Sequence, residues 1–474
     1  MNSKSVRTWT VVLAGLGSLM AALDTLVVST ALSTIRLDLG ASIEELEWTV
    51  NAYNLSLAVL LIPAAALGDR YGRRRLYAGG LVIFAAASAA CALAPSIGAL
   101  IAARAVQGAG AALVLTLALA LVSSAFPPER RGAAIGLFSA VTGLSVASGP
   151  LVGGAVIEGI DWEWIFWLNV PIGLAAVPLV LTRMREGFGP DTALDIRGLL
   201  LVSAAAFAIV WGLVRANAAG WGSFEVVGAL AAGSLLAAVF VAWERRAREP
   251  MLSMRFFRSR GFSAGNAAIF FTFASLFTGV FFFAQLLQTV LGYGPLDAGL
   301  RLIPWTATFI TVAPIAGTLA DRYGERPFMV GGLLLQVVGL TWIALIAGPD
   351  VAYSELVLPL IVAGVGVSMA IPAGQNSVVG SVADEAIGKA AGANSMMREL
   401  GGVFGIAVTV AVFAGAGSYA SAEAFTDGFA PAIGLAAALS LAGAAAGAAL
   451  PGRSAPTRSV PAHAVPVLET EGRC

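Results

Sequence analysis

The chain has 474 residues, 58% of them hydrophobic and 12% charged, with 28 basic and 28 acidic residues. Soluble domains carry about 25% charged residues, so this composition excludes a water-soluble protein and predicts an integral membrane protein. Two cysteines and a single histidine, His463 in a Pro/Ala-rich tail, exclude a disulfide framework, a histidine metal site and Ser-His-Asp catalysis.

Fourteen apolar stretches follow one another along the chain, and each is long enough to cross a bilayer, which takes about 20 helical residues. The first is interpreted as a retained helix and not a cleaved signal peptide, because Asp24 follows Ala21 and Ala22 within an unbroken apolar pattern. Residues 452–474 are polar and Pro-rich and are predicted to be disordered. The predicted spans are 10–32, 46–67, 77–95, 97–125, 133–157, 164–183, 197–215, 225–243, 261–290, 296–319, 327–348, 355–380, 390–416 and 428–450.

The basic residues are distributed asymmetrically between the loops that join these spans. With a cytoplasmic N-terminus, Arg36 and Arg215 fall in outer loops, and Arg104, Arg301 and Arg398 fall within spans. The remaining 23 of the 28 basic residues lie in cytoplasmic loops or termini. Because cytoplasmic loops of membrane proteins carry an excess of Lys and Arg, this distribution predicts fourteen spans with both termini in the cytoplasm.

A charged motif occurs twice, each time after an apolar span. Residues 67–75 read LGDRYGRRR after span 2, and residues 319–327 read LADRYGERP after span 10. If spans 7 and 8 are an insertion, the other spans form two six-span halves with the motif at matching positions. Tandem six-span repeats are typical of transporters whose substrate path lies between the halves.

The predicted fold is therefore an all-α integral membrane fold with fourteen transmembrane helices arranged 6+2+6. The predicted units are an N-terminal half (1–186), a two-helix insertion and linker (187–250), a C-terminal half (251–451) and the disordered cytoplasmic tail (452–474).

Two ionisable residues of opposite charge are predicted at one depth in the membrane. At 1.5 Å per residue, Asp24 in span 1 and Arg104 in span 4 both lie roughly 20 Å from the cytoplasmic surface. Ionisable groups inside a membrane are costly when unpaired and indicate functional sites. Burial favours a neutral carboxyl group and a nearby arginine favours the charged one, so a proton and a substrate can compete for Asp24. The alternative is a static buried pair.

Several segments resemble motifs of the major facilitator superfamily. LGDRYGRRR resembles its loop motif between the second and third spans, although Ala65 replaces the usual first glycine, and RAVQGAGAAL (104–113) resembles its fourth-span motif. GLSVASGPLVGG (143–154) resembles the fifth-span signature of its antiporters, and LDTLVVSTAL (23–32) the first-span motif of the fourteen-span drug:proton antiporters. WIFWLNVPIG, EPMLSMRFF, YGPLDAGLRLIP and RELGGVFGIAV resemble further segments of that group. The resemblance covers nearly the whole chain and implies the major facilitator fold.

Three residues are candidates for coupling proton movement to export. Asp24 and Arg104 are candidates because of their charge and depth in the membrane. Glu399 stands where the family usually has a neutral amide, which makes it a second candidate proton carrier or a structural partner for a neighbouring span. The fifth-span signature is typical of exporters and is lacking in uptake symporters, and its proline is expected to kink span 5 by removing a backbone donor. The residues of this antiporter motif are Gly149, Pro150, Gly153 and Gly154.

The two charged loops are expected to close a cytoplasmic gate in the outward-facing state. An aspartate there can face the positive end of a neighbouring helix or an arginine, a contact worth about 0.3–2 kcal/mol. Since Glu325 replaces the arginine that matches Arg73, the second copy is expected to hold the gate less tightly. The alternative is that the charges only orient the chain. The gate residues are Asp69, Arg70, Gly72, Arg73, Asp321 and Arg322.

Span 9 carries an aromatic stripe at helical spacing, Phe270, Phe273, Phe277 and Phe281, which Gln285 and Gln288 continue. Together with residues of spans 2, 12 and 13 it is the candidate lining of a substrate cavity. The glutamines that continue the stripe favour a cavity for an aromatic, lipophilic guest, and the alternative is a lipid-facing helix. The candidate residues are Tyr53, Asn54, Phe273, Phe277, Phe281, Gln285, Gln288, Met369, Gln375, Asn376 and Arg398.

The sequence therefore predicts a drug:proton antiporter that exports lipophilic drugs or antibiotics across the bacterial cytoplasmic membrane. An exporter dedicated to one endogenous metabolite or antibiotic is an alternative, and the fifth-span signature argues against a proton-coupled uptake symporter. No G-x-x-x-x-G-K-[ST] loop occurs, which excludes an ATP-driven pump. We expect no enzymatic activity and no cofactor besides the proton gradient. The expected partners of the monomer are lipid, protons and a lipophilic small molecule, without nucleic acid.

Overall fold

A computed structural model describes residues 3–41, 43–189, 195–247, 250 and 252–452. These residues form sixteen α-helices, a π-helical turn at Leu286–Val290 and two 3-10 turns at Phe256–Arg258 and Asp384–Ala386. The α-helices are α1 (Ser3–Leu39), α2 (Ile43–Tyr71), α3 (Arg73–Ala92), α4 (Ile97–Ala125), α5 (Pro128–Gly159), α6 (Trp164–Trp167), α7 (Asn169–Arg183), α8 (Ile196–Ala219), α9 (Phe224–Glu244), α10 (Arg260–Gln285), α11 (Pro295–Arg301), α12 (Ile303–Tyr323), α13 (Glu325–Ile346), α14 (Tyr353–Gly380), α15 (Ile387–Ala416) and α16 (Ala422–Ala448).

Each predicted span coincides with a helix or a pair of helices. The sixth span is formed by α6 and α7 together, and the tenth by α11 and α12. In the part of the chain that is described, thirteen helical segments are long and apolar enough to cross a membrane. The predicted fifth span falls on α5, which is 32 residues long. The prediction of an all-helical membrane protein is therefore confirmed, as expected where lipid leaves backbone groups no partner outside their own helix. The tail from residue 453 onward lies outside the described residues.

Two sets of helices repeat one packing arrangement. In the first set α1 packs on α5 and α3 on α4, and in the second set α10 packs on α15 and α13 on α14. Likewise α2 packs on α4 as α12 packs on α14. We call α1–α7 the first half and α10–α16 the second half.

Each charged motif ends in a sharp turn between two helices. Gly72 separates α2 from α3 with φ of 105°, and Gly324 separates α12 from α13 with φ of 90°. Glycine populates positive φ without the steric penalty that a Cβ imposes. We call the end of the molecule that carries both turns the motif end.

The two halves are closed on each other at the motif end. There α5 packs on α12 and α2 packs on α15. A Cβ at Gly317 would collide with the backbone carbonyl of Gly132, and a Cβ at Gly392 would lie 2.6 Å from the Ala65 side chain. Small residues of this kind let helix backbones approach closely within a membrane. Apolar residues from the adjoining ends of α14 and α15, such as Val379, extend the hydrophobic core of the first half.

The helix pair between the halves contacts both of them. Ser203 of α8 donates a 3.2 Å hydrogen bond to the carbonyl of Val59 on α2. Further along α8, Asn217 donates a 3.2 Å hydrogen bond to the carbonyl of Ala407 on α15. The second helix of the pair, α9, packs on α8, and only 17% of its most apolar stretch is buried. Thus α8 bridges the halves, while α9 leaves most of its surface exposed.

Candidate coupling site and gate

A buried ion pair joins α1 to α4. Asp24 of α1 accepts a hydrogen bond from Nη1 of Arg104 of α4 through Oδ2, and neither side chain is more than 1% exposed. The two residues that the sequence places at one depth are therefore in direct contact. Because either charge alone would be costly at this depth, the pair depends on the polar groups around it.

Two side-chain amides bind the Asp24 carboxylate. Its Oδ1 accepts a 2.8 Å hydrogen bond from Nε2 of Gln107 and a 3.0 Å hydrogen bond from Nδ2 of Asn169. Nη1 of Arg104 also donates to Oε1 of Gln107 at 2.6 Å, and Nε2 of Gln107 donates to Oγ of Ser88 at 2.8 Å. Hydrogen bonds to a charged group are among the strongest in proteins, so this network fixes the orientation of the carboxylate.

Arg104 is held from the side of α2 as well. Its Nε donates a 3.1 Å hydrogen bond to the carbonyl of Thr49, and its guanidinium carbon lies 4.2 Å from the centre of the Tyr53 ring. Tyr53 is fully buried and donates a 2.9 Å hydrogen bond to the carbonyl of Ala21. The structure therefore places Tyr53 under the ion pair, in a cation–π contact with Arg104.

Three members of this network were not selected from the sequence. Gln107 lies three positions after Arg104 in α4, and residues at that spacing share a helix face. This spacing was a signal that sequence reasoning missed. Asn169 and Ser88 lie on other helices, α7 and α3, and only the packing of these helices brings Asn169 to Asp24 and Ser88 to Gln107.

Arg398 and Glu399 form a separate pair on α15. Nη2 of Arg398 lies 2.9 Å from Oε1 of Glu399, and the Arg398 guanidinium lies 5.7 Å from the centre of the Phe273 ring. Among the described residues, no hydrogen bond or ion pair links Glu399 with Asp24 or Arg104. A role for Glu399 as a second proton carrier stays a prediction.

Asp69 of the first motif lies where α2 meets the start of α15. Its Oδ1 accepts a 2.8 Å hydrogen bond from Nε of Arg73. A Cβ at Gly388, in the first turn of α15, would collide with the Asp69 carboxylate, so this carboxylate abuts the positive end of a helix in the other half. Nη2 of Arg73 also donates to the carbonyl of Glu385 at 3.4 Å.

The segment that follows α7 covers the first motif. Oε1 of Glu186 accepts a 2.8 Å hydrogen bond from the backbone N–H of Arg74. The backbone N–H of Gly189 donates to the carbonyl of Asp69 at 2.8 Å. A Cβ at Gly72 would lie 2.8 Å from the carboxyl carbon of Glu186. Glycine at this position therefore serves both the turn and the close approach of the segment.

Asp321 of the second motif binds the first half directly. Its Oδ1 accepts a 2.9 Å hydrogen bond from the backbone N–H of Gly132, and its Oδ2 accepts a 3.0 Å hydrogen bond from that of Ala133. Both donors lie in the second turn of α5, near its positive end. Glu325 instead accepts a 2.8 Å hydrogen bond from Nδ2 of Asn376. The second motif thus has two hydrogen bonds of its own across the halves, which argues against a weaker second copy.

The remaining gate candidates differ in their placement. Arg70 and Arg322 are exposed, and their guanidinium groups lie 5.7 Å and 5.4 Å from the rings of the tyrosines that follow them. In contrast, Arg131 of α5 is buried and pairs with Asp384 of the second half at 2.9 Å. Arg131 was not selected from the sequence, although it follows PPER at the start of α5.

The aromatic stripe of α10 faces α15. The Phe273 ring is buried beside Arg398, and a Cβ at Gly402 would lie 3.0 Å from the Phe277 ring. Phe281 packs at 5.1 Å, edge to face, on the ring of Phe282. Phe273 and Phe277 therefore pack against α15, in contrast to a lipid-facing helix.

The glutamines that continue the stripe lie at the far end of α10 from the motif end. Gln285 accepts a hydrogen bond from the hydroxyl of Tyr419, in the loop between α15 and α16. Burial raises the pKa of Tyr419 above its ordinary value. Gln288 is exposed in the π-helical turn Leu286–Val290.

Three cavity candidates on α14 are engaged with neighbouring helices. Gln375 accepts a 2.9 Å hydrogen bond from Oγ of Ser139 on α5, across the two halves. Asn376 donates to Glu325 on α13. A Cβ at Gly332, also on α13, would lie 2.9 Å from the Cβ of Met369. Asn54 is half-buried on α2. Whether any of these residues contacts a substrate stays a prediction.

The predicted antiporter motif lies within α5. Gly149 and Gly153 are buried in this helix. The side chain of Pro150, where a kink is predicted, and the surroundings of Gly154 lie outside the described residues.

Apolar helices in two repeated halves that close on each other at one end, with a buried ion pair inside the first half, are typical of a membrane transporter. The Major Facilitator Superfamily pattern matches residues 14–406. The chain belongs to this family, and membership indicates a transporter and not an enzyme.

Curated relatives and a solved structure agree with this assignment. The chain is 37% identical over 406 residues to the tetracenomycin C resistance and export protein of Streptomyces glaucescens, which covers 85% of this chain and 75% of the relative. It is 34% identical over 407 residues to the multidrug resistance protein Stp of Mycobacterium tuberculosis, with the same coverage. The crystal structure of the human organic anion transporter MFSD10 superposes with a TM-score of 0.62 at 18% identity, over 93% of this chain and 100% of that one. The last likeness concerns the fold alone.

Proposed function

We propose that this protein exports lipophilic drugs or antibiotics across the bacterial cytoplasmic membrane in exchange for protons. The names of its curated relatives support export, since one confers resistance to and exports tetracenomycin C and another is a multidrug resistance protein. The proton gradient is the proposed energy source. The single observation that carries proton coupling is the buried pair of Asp24 and Arg104.

The proposed topology has fourteen spans arranged 6+2+6, as in the fourteen-span drug:proton antiporters that the sequence resembles. In this arrangement α5 is counted as a span in addition to the thirteen apolar segments, which makes fourteen. The halves are 1–186 and 251–451, the insertion and linker are 187–250, and both termini face the cytoplasm. The motif end is then cytoplasmic, and the protein acts as a monomer without a nucleic-acid partner.

Asp24 is the proposed proton site because its negative charge is balanced by the positive charge of one neighbour, Arg104. A proton on Asp24 removes the negative charge of the pair and leaves the Arg104 guanidinium without its anion. Such a change favours a different arrangement of α1 and α4, because an unpaired buried charge is strongly destabilising. A substrate that approaches the pair in the deprotonated state can therefore exclude the proton, which is the exchange that an antiporter requires.

The motif-end contacts are the proposed cytoplasmic gate. Asp69 abuts the start of α15, and Asp321 binds the start of α5, so each half supplies a carboxylate to a helix end of the other. These contacts stabilise the state that is closed at the cytoplasmic side. Contacts of about 1–3 kcal/mol each are weak enough to break in every transport cycle.

The test is export from inverted membrane vesicles, measured over a panel that includes tetracenomycin C and ethidium, with and without a pH gradient. Wild type should concentrate at least one panel member only when the gradient is present. Asp24→Asn should abolish gradient-driven accumulation but still permit downhill exchange of a neutral compound. Asp427→Asn changes an exposed carboxylate of α16 and is the matched control. Full gradient-driven export by Asp24→Asn would contradict the proton site.

A dedicated exporter is the second candidate function, and the tetracenomycin C relative favours it. The same panel separates the two candidates. Gradient-driven accumulation of several unrelated lipophilic compounds identifies a multidrug exporter, whereas accumulation of a single aromatic antibiotic identifies a dedicated one.

A further inference from the structure

Asn169 connects α7 to the ion pair of α1 and α4. It is the first residue of α7 and is 3% exposed, and its Nδ2 donates a 3.0 Å hydrogen bond to Oδ1 of Asp24. Within the described part of the chain, this is the one hydrogen bond of its side chain. We propose that Asn169 is a positioning residue that reverses this hydrogen bond when Asp24 is protonated. Its amide N–H donates to the carboxylate, and its amide oxygen accepts from the carboxylic acid. The inference rests on the proposed proton site at Asp24.

Protonation reverses what Oδ1 of Asp24 requires from its neighbours. A carboxylate only accepts hydrogen bonds, whereas a carboxylic acid carries one O–H donor. When a hydronium ion transfers its proton to Oδ1, one O–H bond of the hydronium breaks and one O–H bond on Asp24 forms, so the carboxylate loses its negative charge and a water molecule is released. One of the two neighbours that donated to Oδ1 must then present an acceptor, while the other can continue to donate to a lone pair. A side-chain amide does so by a half-turn about its terminal C–C bond, because this exchanges its N–H2 and its oxygen.

Gln107 cannot make this half-turn without losing other contacts. Its Oε1 accepts the 2.6 Å hydrogen bond from Nη1 of Arg104, and its Nε2 donates to Ser88 at 2.8 Å in addition to Asp24. A half-turn would direct the Gln107 N–H2 at a guanidinium, which has no acceptor. Arg104 itself only donates. Asn169 is thus the neighbour of Asp24 whose rotation breaks no other hydrogen bond among the described residues.

The groups that face Asp24 come from four helices. Arg104 of α4 is the charged one, and Cys91 of α3 and Tyr53 of α2 are titratable. The Cys91 thiol lies 3.7 Å from Oε1 of Gln107, and the Tyr53 hydroxyl donates to a backbone carbonyl, so both are one contact removed from the carboxylate. From α7 the described neighbour is the neutral Asn169. Asn169→Ala removes both the donor to the carboxylate and the acceptor for the acid. Because the hydrogen bond to the charged group is the stronger of the two, the carboxylate loses more, and Asp24 should then bind a proton more tightly.

The experiment is a pH titration of the purified full-length protein in lipid, followed by infrared difference spectroscopy. The C=O stretch of a protonated carboxyl group that is missing in Asp24→Asn identifies Asp24 without any substrate. In Asn169→Ala the midpoint of this band should move to higher pH by about one unit, which is a tenfold rise in proton affinity. Asn266→Ala is the control, since Asn266 is 4% exposed on α10 and donates to the carbonyl of Phe262. Its midpoint should equal that of wild type.

A second variant keeps the test informative if Asn169→Ala does not fold. Asn169→Asp preserves the shape of the side chain but places a second carboxylate beside Asp24, which should raise the midpoint further. In wild type, a side-chain amide band that is missing in Asn169→Ala should shift with the same midpoint as the Asp24 band. Equal midpoints in wild type and both Asn169 variants, or an amide band that does not titrate, would overturn the inference. If no band is lost in Asp24→Asn, it is the proposed proton site that fails.

Discussion

The carboxylate of Asp321 on α12 accepts a 2.9 Å hydrogen bond from the backbone N–H of Gly132 on α5, which joins the two halves at the motif end. Its other oxygen accepts a 3.0 Å hydrogen bond from the backbone N–H of Ala133. In Asp321→Asn only one oxygen remains, and the new N–H2 group faces a backbone N–H. We therefore expect Asp321→Asn to slow export at least as much as Asp69→Asn, without loss of substrate binding.

The effect can be measured by labelling a cysteine introduced at Ser139 of α5, whose hydroxyl donates to Gln375 of α14. A lost hydrogen bond of about 1–2 kcal/mol should raise its labelling rate roughly tenfold, because the halves separate more often. Asp427→Asn should leave the rate unchanged. An unchanged labelling rate in Asp321→Asn would show that this carboxylate does not hold the motif end closed.

Arg104→Lys should not support export, although it keeps the positive charge. The guanidinium binds Asp24, Gln107 and the carbonyl of Thr49 while it stacks on Tyr53. A lysine ammonium is a point charge that cannot make these contacts together. We expect at least a tenfold loss of gradient-driven export, and near-normal export for Arg215→Lys, whose pair with Glu225 is exposed. Wild-type export by Arg104→Lys would mean that the charge alone matters.

Cross-links between α8 and each half should show with which half α8 moves during transport. In a background without Cys91 and Cys474, one cysteine pair replaces Ser203 and Val59, and a second replaces Asn217 and Ala407. Joined by a short bifunctional thiol reagent, the first pair should permit export, because α8 and α2 are expected to move together. The second pair should arrest it, because it ties α8 to the other half. Export that survives both cross-links would contradict the view that α8 bridges a moving boundary.

The topology is tested by cysteine labelling in intact cells. Cysteines placed in 36–46 and 418–427 should react with an impermeant reagent from outside. Those placed in 70–75 and 245–258 should react only after permeabilisation, because basic residues are retained on the cytoplasmic side. External labelling at 70–75 would reverse the assignment of the motif end.

The sequence by itself determined the helices, the repeated motif and the depth of the charged pair. In lipid each backbone group must find its partner within its own helix, so span positions follow from local apolar composition alone. The depth of Asp24 and Arg104 follows from the helical rise and the span ends, and their contact is realised in the structure.

Only the tertiary structure decided which side chains meet. Asn169 reaches Asp24 because α7 packs beside α1, Asp321 reaches Gly132 because glycines let α5 and α12 approach, and Gln375 is bonded to Ser139 across the halves. These contacts join residues far apart in the chain, and they depend on how each helix is rotated against its neighbours. That rotation is set by the fit of small and large side chains between helices. A nearly uniform apolar sequence gives little signal of it, because lipid and a neighbouring helix are equally apolar surroundings.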